Sequence, residues 1–138
     1  MSLEPIGSLT EPQIEDLLQL FQAEWWTKGR DPAGVRRALA ASDLIIAFCD
    51  VETQRLAAFT RVLTDYVYKA LVLDVIVAAA HRGTGLGRSL LDAVIDHPAL
   101  CDVRHFELYC RPEMVPFYAK WGFSDDVGTL RFMRMTRP

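Results

Sequence analysis

A glycine-rich turn between an apolar run and a helix-like stretch constrains the fold of this chain more than any other feature. The turn reads Arg82-Gly83-Thr84-Gly85-Leu86-Gly87; it follows the apolar residues 71–80 and precedes the helix-like residues 88–95. Glycines permit positive φ angles and a close approach to the backbone. The free N–H groups at the start of a helix favour an anion. The sequence therefore predicts a strand, a phosphate-holding turn and a helix in succession.

Spacing distinguishes three kinds of phosphate-binding loop. A Walker loop needs a glycine at the position of Arg82 and a lysine after Gly87, where this chain has Arg88. A dinucleotide fingerprint needs its third glycine where Arg88 stands. The spacing Arg-x-x-Gly-x-Gly is satisfied by Arg82, Gly85 and Gly87. An ordinary tight connection between a strand and a helix is the alternative to all three.

A second motif, Phe117-Tyr118-Ala119-Lys120-Trp121-Gly122-Phe123, follows about 30 residues later, after the strand-like run 105–110. In order and spacing, the two motifs resemble the acetyl-CoA pyrophosphate loop and the Phe-Tyr-x-Lys-x-Gly-Phe segment of the GNAT superfamily of N-acetyltransferases. The resemblance extends from about Leu71 to Phe123 and is weaker over the first 70 residues. It implies a GNAT-like α/β fold, with a central mixed sheet flanked by helices, and acetyl-CoA as the cofactor.

Composition limits the class of protein. A length of 138 residues is typical of one domain, so we expect residues 1–138 to form a single domain. The composition, with 51% hydrophobic and 24% charged residues, supports a packed core. The net charge of −3 argues against general nucleic-acid binding. The three cysteines lack metal or disulfide spacing, and neither a secretory signal nor an apolar run of membrane length is visible. We therefore expect a cytoplasmic protein that binds neither nucleic acid nor membrane.

Apolar periodicity predicts mixed secondary structure, which fits an α/β or α+β sheet domain. Helices are expected at 11–26, 31–41, 85–96 and 113–121, and strands at 44–50, 55–63, 69–78, 103–110, 123–124 and 130–136. Strand 69–78 is apolar on both faces except at Asp74, so we expect it to be central. A period of two places Val75 and Val77 on one face and Asp74 and Ile76 on the other. Edge strands are compatible with a homodimer.

Two residues are candidates for proton transfer. Acetyl transfer needs a stabilised oxyanion and a proton for the departing thiolate. The resemblance implies that Tyr118 lies beside the coenzyme sulfur, where a phenol with a pKa near ~10 is protonated; a hydrogen-bonded core tyrosine is the alternative. Asp74 is the candidate general base, because burial raises the pKa of a carboxylate. A structural Asp74, hydrogen-bonded to a neighbouring loop, explains a carboxylate at this position at least as well. Many members of the superfamily also have no dedicated general base.

The cofactor-binding residues come from the resemblance. It implies that pantetheine pairs with the strand 75–77 as an added strand would, with the N–H of Val75 facing the thioester carbonyl, and that main-chain N–H groups hold the pyrophosphate. The predicted set is Val75, Ile76, Val77, Arg82, Gly83, Thr84, Gly85, Leu86, Gly87, Arg88, Phe117 and Tyr118. For Arg88, contact with phosphate and plain solvent exposure remain equally open.

Four aromatic residues are candidates for the acceptor pocket: Trp25, Trp26, Tyr66 and Tyr68. The resemblance places the first helices and the loop before the central strand beside the acceptor, where aromatic rings could hold an ammonium group. Core or surface positions are the alternative. The three histidines lack metal-ligand spacing, so no metal site is predicted.

We expect an N-acetyltransferase that moves an acetyl group from acetyl-CoA to a primary amine of a small molecule or peptide by direct attack. A covalent route through Cys110 is an alternative, but the sequence offers no basic partner for it. An acyl-CoA-binding or regulatory module without turnover is a second alternative, and a nucleotide-binding α/β domain is a third. Neither the acceptor nor an exclusive use of acetyl groups can be derived from the residues.

Overall fold

The computed structural model describes residues 2–138 and contains a five-stranded sheet with helices packed on both faces. The strands are β1 (Leu3–Ile6), β2 (Leu44–Asp50), β3 (Leu56–Thr64), β4 (Lys69–Val77) and β5 (His105–Glu107), and the helices are α1 (Glu11–Ala23), α2 (Pro32–Ala41), α3 (Leu86–Ile95) and α4 (Val115–Tyr118). The spatial order β1-β2-β3-β4-β5 follows the chain. Neighbouring strands are antiparallel except β4 and β5, which are parallel. The predicted mixed sheet is confirmed.

The first two helices begin at local caps that the sequence encodes. Thr10 accepts a hydrogen bond from the N–H of Gln13, and the Gln13 side chain accepts one in return from the N–H of Thr10. Asp31 caps α2 by accepting from the N–H of Gly34. Helix α1 ends at Ala23 rather than at the expected residue 26. At its end the carbonyl of Phe21 accepts hydrogen bonds from the N–H of Glu24 at 3.4 Å and from the Thr27 hydroxyl at 2.8 Å.

The sheet separates two apolar clusters. One lies beneath α1 and α2 and includes Leu17, Phe21, Val35, Phe59 and Ile76. The other lies beneath α3 and α4 and includes Val62, Val72, Leu90, Leu91, Val94 and Tyr118. Because β3 and β4 contribute to both clusters, they are covered on both faces, as the apolar composition of residues 69–78 predicts.

The ends of the chain differ from the prediction. Strand β1 was not expected and pairs antiparallel with β2. The expected strands 123–124 and 130–136 do not form, and β5 is shorter than residues 103–110. Alternating apolar residues indicate the faces of a strand but not the neighbour that completes its hydrogen bonds. The outer edge of β5 receives no strand from the described residues. The last ten residues are therefore exposed.

Candidate functional site

Strand β4 contains a bulge at its centre. Phe59 pairs with Ile76 and Arg61 pairs with Leu73, so two residues of β4, Asp74 and Val75, lie opposite one residue of β3. Asp74 has φ 57°, in the left-handed region that non-glycine residues rarely adopt.

The bulge reverses the two faces of β4. Before it, Val72 packs in the cluster beneath α3; after it, Val75 and Val77 pack against that cluster and Ile76 packs beneath α1 and α2. The expectation that residues 71–78 alternate without interruption is therefore wrong, because one extra residue shifts the alternation.

The pairing of β4 with β5 ends before the bulge. Their pairing covers three positions and ends at Leu71 with Glu107, whereas β4 continues to Val77. The N–H of Ala78 donates to Ala57 on the β3 side. Because successive N–H groups of a strand point in opposite directions, those of Val75 and Val77 point toward the open edge. The segment Val75–Val77 is therefore an open edge of β4, with backbone donors that β5 does not pair.

The glycine-rich turn lies between the end of β4 and the start of α3. Gly83 and Gly85 have φ angles of 78° and 85°, which explains why both positions are glycine. Gly85 caps α3 without a side-chain hydrogen bond, so the first N–H groups of α3 are free of a capping side chain. A Cβ atom at Gly87 would lie 3.6 Å from Phe117 Cζ and 3.9 Å from Val77 Cγ2. The turn, the end of β4 and α4 therefore meet at this point.

Arginine and lysine side chains near the turn have different surroundings. Arg82 donates to the carbonyl of Val77 at 3.2 Å and forms an ion pair with Glu24 at 2.7 Å, so its side chain joins the end of α1 to the end of β4. Arg88 and Lys120 instead line an opening of about 330 Å³ beside α3. Arg88 is itself exposed, and Asp92 and Trp121 complete the lining of this opening.

Tyr118 is buried on the α3 side of the sheet, with 8% of its surface exposed. Its ring packs edge-on against Phe117 and Phe123 at centroid distances of 5.1 and 6.1 Å, and Val75 and Val77 pack against the same cluster. Burial, and to a smaller extent Cys110, raise the pKa of Tyr118 to about 12. The phenol is thus protonated over the physiological pH range.

Asp74 differs from its expected chemistry. Burial raises its pKa, but hydrogen bonds from Arg30 and Arg61 and their positive charges outweigh burial, so the net pKa of Asp74 lies below its ordinary value. The expectation of a raised pKa is therefore wrong. A carboxylate held by two guanidinium groups is a poor proton acceptor at neutral pH, so its surroundings do not support the role of general base.

The four aromatic candidates are not brought together. Tyr66 and Tyr68 are exposed in the turn before β4, and the glycine-rich turn follows the other end of that strand, roughly 26 Å away at ~3.3 Å per residue. Trp25 and Trp26 follow α1, close to the Glu24–Arg82 ion pair. The ring of Trp25 already makes a cation–π contact, because the Arg111 guanidinium carbon lies 4.0 Å from its centroid.

The alternative nucleophile is not activated. Burial, Asp125 and Glu113 all raise the pKa of the Cys110 thiol, so less thiolate forms at neutral pH. Among residues 2–138, no group of three or more His, Cys, Asp and Glu side chains could hold a metal ion. No helix in that range has the length and apolar character needed to cross a membrane.

Sequence analysis missed the two arginines that hold Asp74. Arg61 stands in the apolar strand β3, and an isolated charge in such a strand is the signal that could have identified it. Arg30 lies in the α1–α2 connection, where a charged residue is ordinary, so the sequence carries no comparable signal.

The sequence profile of the Acetyltransferase (GNAT) family matches residues 12–123. A GNAT-family protein of known structure from Xanthomonas campestris pv. campestris superposes with a TM-score of 0.85 and 30% identity, covering 100% of this chain and 95% of that one. GCN5-related N-acetyltransferase 1, chloroplastic, of Arabidopsis thaliana is 27% identical over 90% of this chain and 62% of its own length. Serotonin N-acetyltransferase 2, chloroplastic, of Oryza sativa subsp. japonica is 32% identical over 78% of this chain. The chain spans only 55% of the rice protein.

Proposed function

Because this chain belongs to the GNAT family of acetyltransferases, we propose that it moves an acetyl group from acetyl-CoA to a primary amine, with residues 1–138 acting as one catalytic domain. The amine nitrogen attacks the thioester carbonyl, a C–N bond forms, the C–S bond breaks, and the surplus proton passes from the nitrogen to solvent. The observation that carries the proposal is the open edge of β4 beyond its pairing with β5, which leads to a glycine-rich helix start.

The pantetheine arm would lie along the open edge of β4. It is an extended chain with amide groups, and Val75, Ile76 and Val77 offer the backbone of an incomplete sheet. At the thioester, the N–H of Val75 is the donor that we assign to the developing oxyanion, because such donors act where negative charge appears in the transition state.

The pyrophosphate would bind the start of α3. The turn 82–87 supplies main-chain N–H groups, and the positive end of the helix dipole favours an anion. Arg88 and Lys120 add two cations beside that point. Gly87 leaves the approach free of a side chain, whereas the Arg82 side chain holds protein groups together.

Tyr118 would assist the departing thiolate. Its pKa of about 12 keeps the proton on the phenol, and it is higher than that of an ordinary thiol, ~8.5. Complete proton transfer to sulfur would therefore be uphill, and a hydrogen bond from the phenol that stabilises the thiolate is the better-supported role. The raised pKa of Cys110 supports direct transfer rather than an acetyl-cysteine intermediate.

The acceptor is an amine of a small molecule or peptide. Trp25 and Trp26 are the aromatic candidates that remain near the turn, through their neighbour Glu24 and its ion pair with Arg82. Serotonin is the acceptor in the name of one relative, but this chain spans 55% of that protein.

Calorimetric titration with acetyl-CoA tests the cofactor, with ATP and NAD as controls. We expect saturable binding of acetyl-CoA alone, weakened by Gly85→Val, because a branched side chain is strained at φ 85° and obstructs the turn. Gly128→Val is the matched control: Gly128 also has a positive φ, 69°, with nothing within 4 Å, but lies in the exposed C-terminal segment.

Release of coenzyme A in the presence of an amine panel then separates an enzyme from a binding module. Acetylated amine together with stoichiometric coenzyme A supports the transferase. Binding of acetyl-CoA without any amine-dependent release would leave the acyl-CoA-binding module as the function, and absence of binding would overturn both.

A further inference from the structure

A second cavity, of about 300 Å³, lies between the sheet and the helices α1 and α2. Its charged lining residues are Arg30, Asp31, Arg61 and Asp74, and aromatic rings of Phe21 and Phe59 contribute to its walls. Residues Val75–Val77 and the glycine-rich turn, which we assign to the cofactor, do not line it. The cavity is thus available to another molecule while the cofactor is bound.

Two guanidinium groups converge on one buried carboxylate in this cavity. Arg30 binds Asp74 through two parallel hydrogen bonds, of 2.8 and 3.0 Å, and Arg61 adds a third from Nε at 2.7 Å. The Asp74 side chain is 5% exposed, and those of Arg61 and Arg30 are 15% and 35% exposed. The forked pair fixes the plane of the Arg30 guanidinium group, whereas Arg61 is held by one hydrogen bond.

Other contacts hold Arg30 in place. Its guanidinium carbon lies 4.8 Å from the centroid of the Phe21 ring, and its carbonyl accepts a hydrogen bond from the Gln22 side chain at 3.2 Å. Arg61 is carried by the paired strand β3. Both cations are therefore held in position before any ligand arrives, which lowers the entropic cost of binding one.

Donors remain after Asp74 is satisfied. An arginine has five N–H groups, and Arg61 uses only Nε toward an acceptor among the described residues. Buried side-chain atoms without a partner are absent from the described residues, so the terminal nitrogens of Arg61 are in contact with solvent. Asp31, the second carboxylate of the cavity, is engaged at the start of α2, where it accepts from Gly34 N at 2.7 Å.

We propose that this cavity binds an oxyanion carried by the acceptor, a carboxylate or a phosphate group attached to the amine that is acetylated. The inference rests on the proposed function. Arginine pairs bind planar or tetrahedral oxyanions through several N–H groups at once. Asp74, which anchors both arginines, directly precedes Val75, the oxyanion donor, at a Cα separation of ~3.8 Å. The cavity and Tyr118 lie on opposite faces of the sheet, so an acceptor anchored there would reach the thioester past the open edge of β4 at Val75.

Direct binding of simple anions tests the cavity without any turnover. The probes are sodium acetate and inorganic phosphate, titrated into the protein saturated with coenzyme A so that the glycine-rich turn is occupied, while the arginine Nε–H signals are followed by NMR. We expect saturable shifts of the Arg30 and Arg61 signals. Arg61→Met should weaken binding about tenfold or more, since a charged hydrogen-bond donor is lost.

Two further variants test whether the anion binds to the terminal nitrogens of Arg61 rather than to any positive charge on the surface. Arg61→Lys keeps a positive charge beside Asp74 but removes the free terminal nitrogens, so it should fold normally and still bind anions more weakly. Arg36→Met is the control, because Arg36 pairs with Glu11 outside the cavity. Absence of saturable shifts at Arg30 and Arg61, or equal weakening by Arg36→Met, would overturn the proposal.

Matched amines test the link to catalysis. β-Alanine is compared with propylamine, and phosphoethanolamine with ethanolamine, which also separates carboxylate from phosphate. We expect one acidic amine to exceed its neutral partner about tenfold or more in kcat/KM, and Arg61→Lys to remove that preference mainly through KM. Equal kcat/KM within both pairs would overturn the assignment to the acceptor. Binding of acetate or phosphate without acetylation of any amine would instead count against the proposed function and leave the anion site standing.

Discussion

Asp74 is the residue at which sequence reasoning was most informative and also incomplete. An acid in an apolar strand correctly marked an unusual position, but the direction of its pKa depended on Arg30 and Arg61, which lie 44 and 13 residues away in the chain. Burial is visible in a local pattern of apolar residues, whereas the partners of a buried charge are set by tertiary structure. The protonated state of Tyr118 needed no such partner and was predicted correctly.

Asp74→Asn should destabilise the protein at neutral pH by about 1–3 kcal/mol, because two arginines lose their counter-charge. The folded-state pKa of Asp74 is depressed, so its stabilisation is present above the ordinary value of 3.8 and is lost as the pH falls through the lower folded-state value. Urea denaturation at a series of pH values should show wild type and variant converging below pH 3.8.

The exposed Asp102 provides the control for this change, as Asp102→Asn. A difference between wild type and Asp74→Asn that stays constant into acid would contradict the depressed pKa, and so would equal destabilisation by the control.

Tyr118→Phe should reduce kcat by about a hundredfold or more, because the departing thiolate loses its hydrogen-bond donor. The KM for acetyl-CoA should change little, since the ring and its packing against Phe117 and Phe123 remain. Steady-state kinetics at saturating acceptor measures both constants. The exposed Tyr109 gives a matched control, Tyr109→Phe; an undiminished kcat for Tyr118→Phe would exclude the phenol from catalysis.

Single elements were predicted where their signals are local. The caps at Thr10 and Asp31 and the apolar periods placed α1, α2 and α3 within three residues of their observed ends. The bulge in β4 was not predicted, because it consists in a mismatch between two strands and cannot be read from either strand alone. The faces to which Val75, Ile76 and Val77 belong depend on that mismatch, so these residues were predicted and their surroundings were not.

Gly87→Ala should have opposite effects on the stability of helix α3 and on the affinity for acetyl-CoA. Alanine should raise the free energy of unfolding by up to about 1 kcal/mol, since glycine is unfavourable in a helix, and the added Cβ has room at 3.6 Å from Phe117. The same atom should weaken acetyl-CoA binding, because it occupies the space where the pyrophosphate approaches the backbone. Thermal unfolding and calorimetric titration measure the two effects.

Ser89→Ala, in the same turn of α3, is the control for a change that adds no atom: it removes only the Ser89 hydroxyl, which donates to the carbonyl of Gly85 at 3.3 Å. Unchanged affinity for acetyl-CoA in Gly87→Ala would show that the coenzyme does not approach α3 at this point.

At the scale of the whole molecule, the region between the two motifs was predicted better than the ends. Residues 71–123 combine a glycine turn, a central strand and an aromatic segment whose order fixes their place in a mixed sheet. Strand β1 and the C-terminal residues depend on which edge of the sheet is free, and edges are a property of the assembled sheet. The profile of the family likewise covers residues 12–123.

Deletion of residues 129–138 should change the free energy of unfolding by less than about 1 kcal/mol, because these residues are exposed and form no helix or strand. Urea denaturation measures this, and sedimentation should report the same mass per particle before and after truncation, apart from the missing residues. A large loss of stability accompanied by dissociation would show that the apolar side chains of this segment pack against a second chain, as the homodimer considered from the sequence would require.

The bulge at Asp74 also changes which alternate positions of β4 face α3. Upstream of it, even-numbered positions of β4 belong to the layer beneath α3; downstream, odd-numbered positions do. Deletion of Asp74 itself would restore regular pairing with β3 and leave every other residue of β4 on its present face, whereas a single deletion elsewhere in the strand would move the residues between it and the bulge to the opposite face. A library of single deletions screened for folded protein should therefore show survivors clustered at the bulge and losses that increase with distance from it.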